Sequence, residues 1–313
     1  MTLPPRDTTT LLPPSGEQYE IRHGAQTATI VEVGAGVRSY TVDDRPVLQS
    51  YPRDAMCDGA HGTPLVPWPN RIGGGRYNFD GTEYQLPLTE VDKQNAIHGL
   101  LRWTPWRLLD HTPAGVVLGV RLHPSPGYPF ILDVTVDYRV GPDGLRVRTT
   151  ACNVGAVACP YGAGQHPYLS PGSGLIDECT LQFGANTRIC TDADRQLPTG
   201  TQAVRGTVFD FHSPRMIGDL SVDFAFTGLQ RDARGRSWVR LAGPDRRTAA
   251  FWVDESYSFI ELYTADTLAP NRRRRGLGTE PMTCPPNAFQ SGEHVIRLAP
   301  GASTTATWGA QLT

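Results

Sequence analysis

The sequence predicts an all-β protein, built as two packed antiparallel sheets or a larger layered sandwich, and three observations carry that prediction. Glycine (33 residues) and proline (27) cut the chain into short pieces that leave little room for long helices. In many of those pieces apolar and polar residues alternate with a period of two, the mark of a half-buried strand. No stretch keeps a helical period for three turns.

The elements follow in chain order. "TATIVEV" (27–33) and "VRSYTV" (37–42) are the first strands, and "RYNFDGTEYQL" (76–86) is a hairpin with Asp80-Gly81 where a tight two-residue turn requires them. "GVVLGVRL" (115–122) precedes "ILDVTVDYRV" (131–140), in which Leu132, Val134, Val136, Tyr138 and Val140 alternate with Asp133, Thr135, Asp137 and Arg139. The "GPDG" that follows turns the chain into "LRVRTTAC" (145–152), which completes a second hairpin. "CTLQF" (179–183), "WVRLAG" (238–243), "TAAFWVD" (248–254), "SFIELYT" (258–264), "EHVIRL" (293–298) and "TTATWGAQL" (304–312) supply the remaining strands. No repeat of fixed period points to a propeller. No linker divides the middle, so residues 17–313 read as a single domain behind a loose, proline-rich lead at 1–16.

With 39% hydrophobic residues and a net charge of −2, the composition is that of a soluble globular protein. A broad basic excess and a bilayer-length apolar run are both missing, so neither a nucleic-acid nor a membrane partner is expected. The start lacks the basic-then-apolar pattern of a signal peptide, which predicts a cytoplasmic protein. Six cysteines show no CxxC pair and no zinc-ligand rhythm, so they read as free, mostly buried thiols. Lys93 is the only lysine, and Schiff-base chemistry would have to use it.

Polar groups gather where strands should end. "PWPNRI" gives Asn70 and Arg71, "NAIHGLLRW" gives His98, "GQHPY" gives His166 and Tyr168, and "GLGTEPMTCPPNAF" gives Glu280 amid turn residues. A histidine in such a loop either hydrogen-bonds its own backbone or faces a site. Asp223 in "SVDFAF" and Glu261 in "FIELYT" lie inside apolar strands, pointing either to solvent or into a cleft. "RIGGGRY" lacks the Lys-Ser/Thr of a phosphate loop, and a hairpin follows it where a helix should begin. Arg272 to Arg275 form either a solvated loop or a grip for an anion. HExxH and GxSxG do not occur, and no metal or other cofactor is expected.

Taken together, these stretches resemble the aldose 1-epimerases (mutarotases). The resemblance runs from about residue 25 to the C-terminus through "PWPNRIGGGRYNFDGTEYQLPLTE", "NAIHGLLRW", "GQHPYL", "VDFAFTGL", "LYTADTL" and "EPMTCPPNAFQSGE", in the family's order. It implies an antiparallel β-supersandwich with a sugar cleft on one concave face. It further implies Glu280 as general base, His166 as general acid, and Asn70, Arg71, His98, Tyr168 and Asp223 as contacts to the sugar. Glu261 stands where galactose mutarotases carry glutamine, which adds a possible charge beside the sugar. Asn287 stands where "PPDAF" is common, so a different hydrogen bond is expected to hold that turn.

Interconverting anomers needs one proton off the C1 hydroxyl and one onto the ring oxygen, work suited to a carboxylate and an imidazolium. Arg71 and His98 donate to the sugar in this reading, Asp223 accepts, and Trp68 or Trp103 covers its apolar face unless both belong to the core. Three rivals share the residues: a non-catalytic sugar-binding protein, a glycoside hydrolase pairing Glu280 with Asp223 or Glu261, and a mutarotase for a phosphorylated or sulfonated sugar held by Arg272 to Arg275. The sequence leaves the oligomeric state open.

Overall fold

The computed structural model describes residues 12–172 and 174–313. Among these residues the chain forms two large sheets, of 12 and 9 strands, and three two-stranded pairs. Every pairing is antiparallel, and helix is confined to Ala288–Ser291 and two 3₁₀ turns. This is an all-β supersandwich in a single domain. No helix among the described residues is long and apolar enough to cross a membrane. Of the proline-rich lead, residues 1–11 lie outside the described residues, while Ser15 and Gly16 are buried and the Ser15 carbonyl accepts the Val33 N–H at 2.9 Å.

The alternating sequence produces the expected hairpins. Leu132–Gly141 pairs with Gly144–Asn153 and buries every second residue, from Leu132 to Val140, against the facing sheet. Arg76–Phe79 pairs with Thr82–Gln85 through Asp80 and Gly81, both at positive φ (50° and 79°), as a two-residue turn with right-handed twist requires. All six cysteines are free.

Two readings are corrected. The strands Gln18–His23, in which Tyr19 and Ile21 alternate with Gln18, Glu20 and Arg22, and Arg45–Leu48 lie outside the predicted set, and "EHVIRL" yields only the short strand Ile296–Leu298. More consequentially, Leu277–Met282, read as turn residues around Glu280, is a strand with all six residues buried. Its proline explains both the misreading and the local architecture. Thr279 and Thr283 donate backbone N–H groups to the carbonyls of Pro167 and Ala163, each at 2.9 Å. Pro281 lies between them and has no N–H to give. At that level the Gln165–His166 segment turns away to bond residues 62–64, with His166 N donating to Thr63 O at 3.1 Å and Gly62 N to His166 O at 2.8 Å.

The core between the sheets fixes this segment. Gln165 is fully buried; its Nε2 donates to the Gly62 carbonyl and to Tyr138 Oη, both at 3.0 Å, and its Oε1 accepts from Trp308 Nε1 at 2.9 Å. Tyr138 and Trp308 belong to the nine-stranded sheet. Because successive side chains of extended backbone point to opposite faces, anchoring Gln165 in the core turns His166 outward to the concave side. A second anchor is Gly99, at φ 71°, where a Cβ would come within 2.0 Å of the Val66 carbonyl oxygen. Gly99→Ala is therefore expected to cost more than about 1 kcal/mol, read as a lower denaturant midpoint at unchanged slope; an unchanged midpoint would show that the loop yields freely.

Candidate active site

A cleft of about 290 Å³ opens on the concave face of the 12-stranded sheet, and all eight residues singled out from the sequence line it: Asn70, Arg71, His98, His166, Tyr168, Asp223, Glu261 and Glu280. Three adjacent strands form part of its wall. Phe259–Tyr263 is flanked by Asp223–Leu229 and Leu277–Met282, with Glu261 directly opposite Glu280 and Asp223 opposite Tyr263. This register puts the three carboxyl side chains on one sheet face. The short pair Arg71–Gly73 and Asn95–Ile97 brings in the rest. Asn70 (φ 53°) and His98 (φ 61°) sit at its end in left-handed backbone, a conformation more accessible to Asn and His than to most other side chains. They lock each other: His98 N donates to Asn70 O at 2.9 Å, and Asn70 N to His98 Nδ1 at 3.2 Å.

His166 Nε2 and Glu280 Oε1 are 3.0 Å apart, with both side chains almost wholly buried. His166 Nδ1 and Glu280 Oε2 have no hydrogen-bond partner among the described residues. Burial disfavours charge on either group. It pulls the His166 imidazolium down to about 3, aided by the neighbouring His61, Arg102 and Arg71. The same burial, with the Asp223 charge added, raises Glu280 well above the usual carboxylate range against the opposing pull of Arg71. Both shifts favour the uncharged form of each group, so burial works against a standing imidazolium beside a carboxylate.

His166 ends a column of stacked rings. It stacks on Tyr168 at 4.8 Å, and Tyr168 stacks on His61 at 4.6 Å. Burial pulls His61 down to about 4, and its Nδ1 accepts from Arg272 Nη2 at 3.0 Å. The arginine run thus has structural partners. Arg272 pairs with Asp58 at 2.9 Å, Arg274 with Asp177 and Asp266 at 2.7 Å each, and Arg275 Nε donates to the Asn271 carbonyl at 3.0 Å. None of the four lines the cleft.

Arg71 is also committed. Its guanidinium meets Glu90 through two bonds, at 2.8 and 2.9 Å, and donates to Gln196 Oε1 at 2.9 Å. Burial opposes charge on Glu90, yet the Arg71 bonds outweigh it and hold the carboxylate below its ordinary range. Gln196 spans the cleft from a loop in which Asp192 accepts three backbone N–H groups; its Nε2 reaches Asp223 and its Oε1 also accepts from Lys93. Gln196, Glu90, Lys93, Arg102 and Tyr263 all line the cleft without having been singled out as sugar contacts. For Gln196 no local signal existed, since its φ of 56° and its partners are set by residues far along the chain.

Trp68 is buried against Phe289, and Trp103 is half exposed outside the cleft, so neither lines it; Tyr168 and Tyr263 are the aromatic rings that do. At its turn, Asn287 Oδ1 accepts from Gly73 N at 3.0 Å, a bond an aspartate could also accept, and its Nδ2 donates to Gln290 Oε1 at 3.0 Å. His98, His166 and Glu280 bring ligand-type atoms within 4.8 Å of one another. A metal does not suit them. A backbone N–H can only donate, so His98 Nδ1 is the acceptor and the ring proton sits on the other nitrogen. His98 is thereby a donor toward the cleft.

The chain is 34% identical over 288 residues to the uncharacterized protein YihR of Escherichia coli K12, spanning 92% of this chain and 90% of that one. The aldose 1-epimerase of the same organism is 24% identical, over 82% and 79% of the two chains. A crystal structure of an aldose epimerase homologue from C. elegans shares the fold with a TM-score of 0.84 at 21% identity, covering 95% of this chain and 98% of that one. The family model for aldose 1-epimerase matches residues 17–310, and the chain belongs to the aldose 1-epimerase family.

Proposed function

We propose that the protein interconverts the α and β anomers of an aldohexose by general acid/base ring opening and reclosure, with Glu280 and His166 moving the protons. The observation that carries this reading is their 3.0 Å contact in a polar cleft. The two oxygens on an anomeric carbon are neighbours, so a bound pyranose replaces one direct contact by two, the C1 hydroxyl on Glu280 and the ring oxygen on His166.

In the opening step the Glu280 carboxylate takes the proton of the C1 hydroxyl. The C1–O1 bond becomes a carbonyl as the ring C–O bond breaks, and the departing ring oxygen receives its proton from His166. Rotation about C1–C2 presents the other carbonyl face. On closure, His166 takes the proton from the attacking hydroxyl and Glu280 returns one to O1. The ring-open state leaves Glu280 protonated and His166 neutral, the uncharged forms that burial favours. The environment thus favours the intermediate, and part of the barrier is moving the proton onto His166 at the start. Asn70, Arg71, His98, Tyr168 and Asp223 orient the hydroxyls; each unpaired polar group left by a wrong sugar penalises it. Two-dimensional exchange NMR on a panel of aldoses tests the reading: faster anomer exchange supports it, and binding without exchange would favour a sugar-binding protein instead.

One observation favours an anionic sugar. Arg102 lines the cleft and has no carboxylate within ion-pair distance among the described residues; its one hydrogen bond is a long one, 3.5 Å, to the Ile97 carbonyl. Burial pulls its guanidinium below the ordinary range, which a bound anion would relieve. Arg102→Met is expected to raise KM for a phosphorylated or sulfonated aldose by about 10- to 100-fold, the worth of a hydrogen bond to a charged group, and to change KM for the neutral aldose far less. An equal change for both would remove the anionic reading.

A further inference from the structure

We propose that Glu261 is held as a neutral carboxylic acid and acts as a specificity-determining hydrogen-bond donor to the sugar, so that the cleft presents an acid proton where the sequence suggests a negative charge. The proposal rests on the mutarotase reading for the identity of the ligand, and on the geometry of the sheet for the proton.

Glu261 is buried, 4% exposed, in the central strand of the three that form this wall. Glu280 faces it from the strand Leu277–Met282, and Asp223 from the strand Asp223–Leu229 lies within hydrogen-bonding reach. Tyr263 is the titratable neighbour on its own strand. From the segment Asn70–Gly73, Asn70 Nδ2 donates to Glu261 Oε2 at 3.3 Å, and Arg71 is the nearby cation. Arg71 directs Nε and Nη2 to Glu90 and Gln196 rather than to Glu261, and Lys93 bonds Gln196 and Glu90. Neither Glu261 nor Asp223 forms an ion pair among the described residues, and the one ion-pair contact of Glu280 is His166. Three carboxyl groups thus share one sheet face without a dedicated cation. Directly opposed like charges destabilise a sheet, and a buried unpaired carboxylate sheds its charge by taking a proton.

Burial, then Asp223, then Glu280 raise Glu261 well above the ordinary carboxylate range, with Arg71 opposing. A neutral Glu261 can donate to a hydroxyl and accept from Asn70 at once. When it ionises, the donor is lost and a charge appears beside the sugar, so binding weakens by up to tenfold per pH unit beyond that point.

Glu261→Gln tests this because the amide keeps the shape and a donor without titrating. Two readouts are taken between about pH 5 and pH 9. First, thermal stability: a folded state that keeps a proton the unfolded chain has lost becomes weaker as pH rises from the unfolded value through the folded one. The Tm advantage of Glu261→Gln over the wild type should therefore grow with pH across that window; a flat difference, or a wild type that gains on the variant, overturns the neutral acid. Second, KM for the aldose should rise with pH in the wild type more steeply than in Glu261→Gln while kcat ratios stay constant; parallel KM profiles overturn the donor role. If the wild type accelerates no anomer exchange, the mutarotase reading fails while the Tm comparison still decides the protonation of Glu261.

Discussion

Glu280→Gln is expected to slow anomer exchange by about 10² to 10⁴, the range typical of one positioned proton-transfer group, while leaving the fold intact. The amide keeps the volume and one acceptor oxygen at the contact with His166 but cannot take a proton from the C1 hydroxyl. Glu280 lies in a fully buried strand paired along its length with Phe259–Tyr263, so its side chain contributes little to holding that strand in place. Exchange NMR at saturating sugar measures the rate, and near-UV circular dichroism checks the fold. Activity within a few-fold of wild type would remove Glu280 from the role of base.

His166→Asn should produce a loss of similar size, because the ring oxygen then departs without a proton donor. Its diagnostic partner is the pH profile of the wild type. The active form carries one proton on the His166–Glu280 pair. With the imidazolium pulled down to about 3 and Glu280 pushed up, the acid limb of kcat/KM in the free enzyme reports His166 gaining a second proton, and the alkaline limb reports Glu280 losing the shared one. Ordinary side-chain values would assign Glu280 to the acid limb and His166 to the alkaline limb, and burial of both groups reverses that assignment. An acid limb near the ordinary histidine value would show that the cleft is wetter than its burial implies.

Residues of different kinds were legible to different degrees. His166 was conspicuous because a polar ring between glycines and a proline has no place in a core. What the sequence could not convey was its support, since Gln165, Tyr138 and Trp308 meet from three distant segments. Glu280 was found, but its strand was not: "GLGTEPM" carries turn residues, and only a sheet in which a neighbour departs opposite Pro281 accommodates them. The alternation in "SVDFAF" and "FIELYT" left two directions open for Asp223 and Glu261; the pairing of both strands with a buried neighbour turns them to the cleft. Arg272 to Arg275 left a solvated loop and an anion grip both open because a charge run hides its partners; Arg272 pairs with Asp58, and Arg274 with Asp177 and Asp266. Gln196, Glu90 and Arg102 carried no signal, because their positions depend on loop closure over the cleft.

The central claim is that one pyranose bridges Glu280 and His166. A crystal structure of His166→Asn soaked with the aldose selected by the exchange assay tests it most directly. The account predicts the C1 hydroxyl within hydrogen-bond distance of Glu280 and the ring oxygen facing residue 166. A sugar bound with its anomeric centre turned away from both would contradict it.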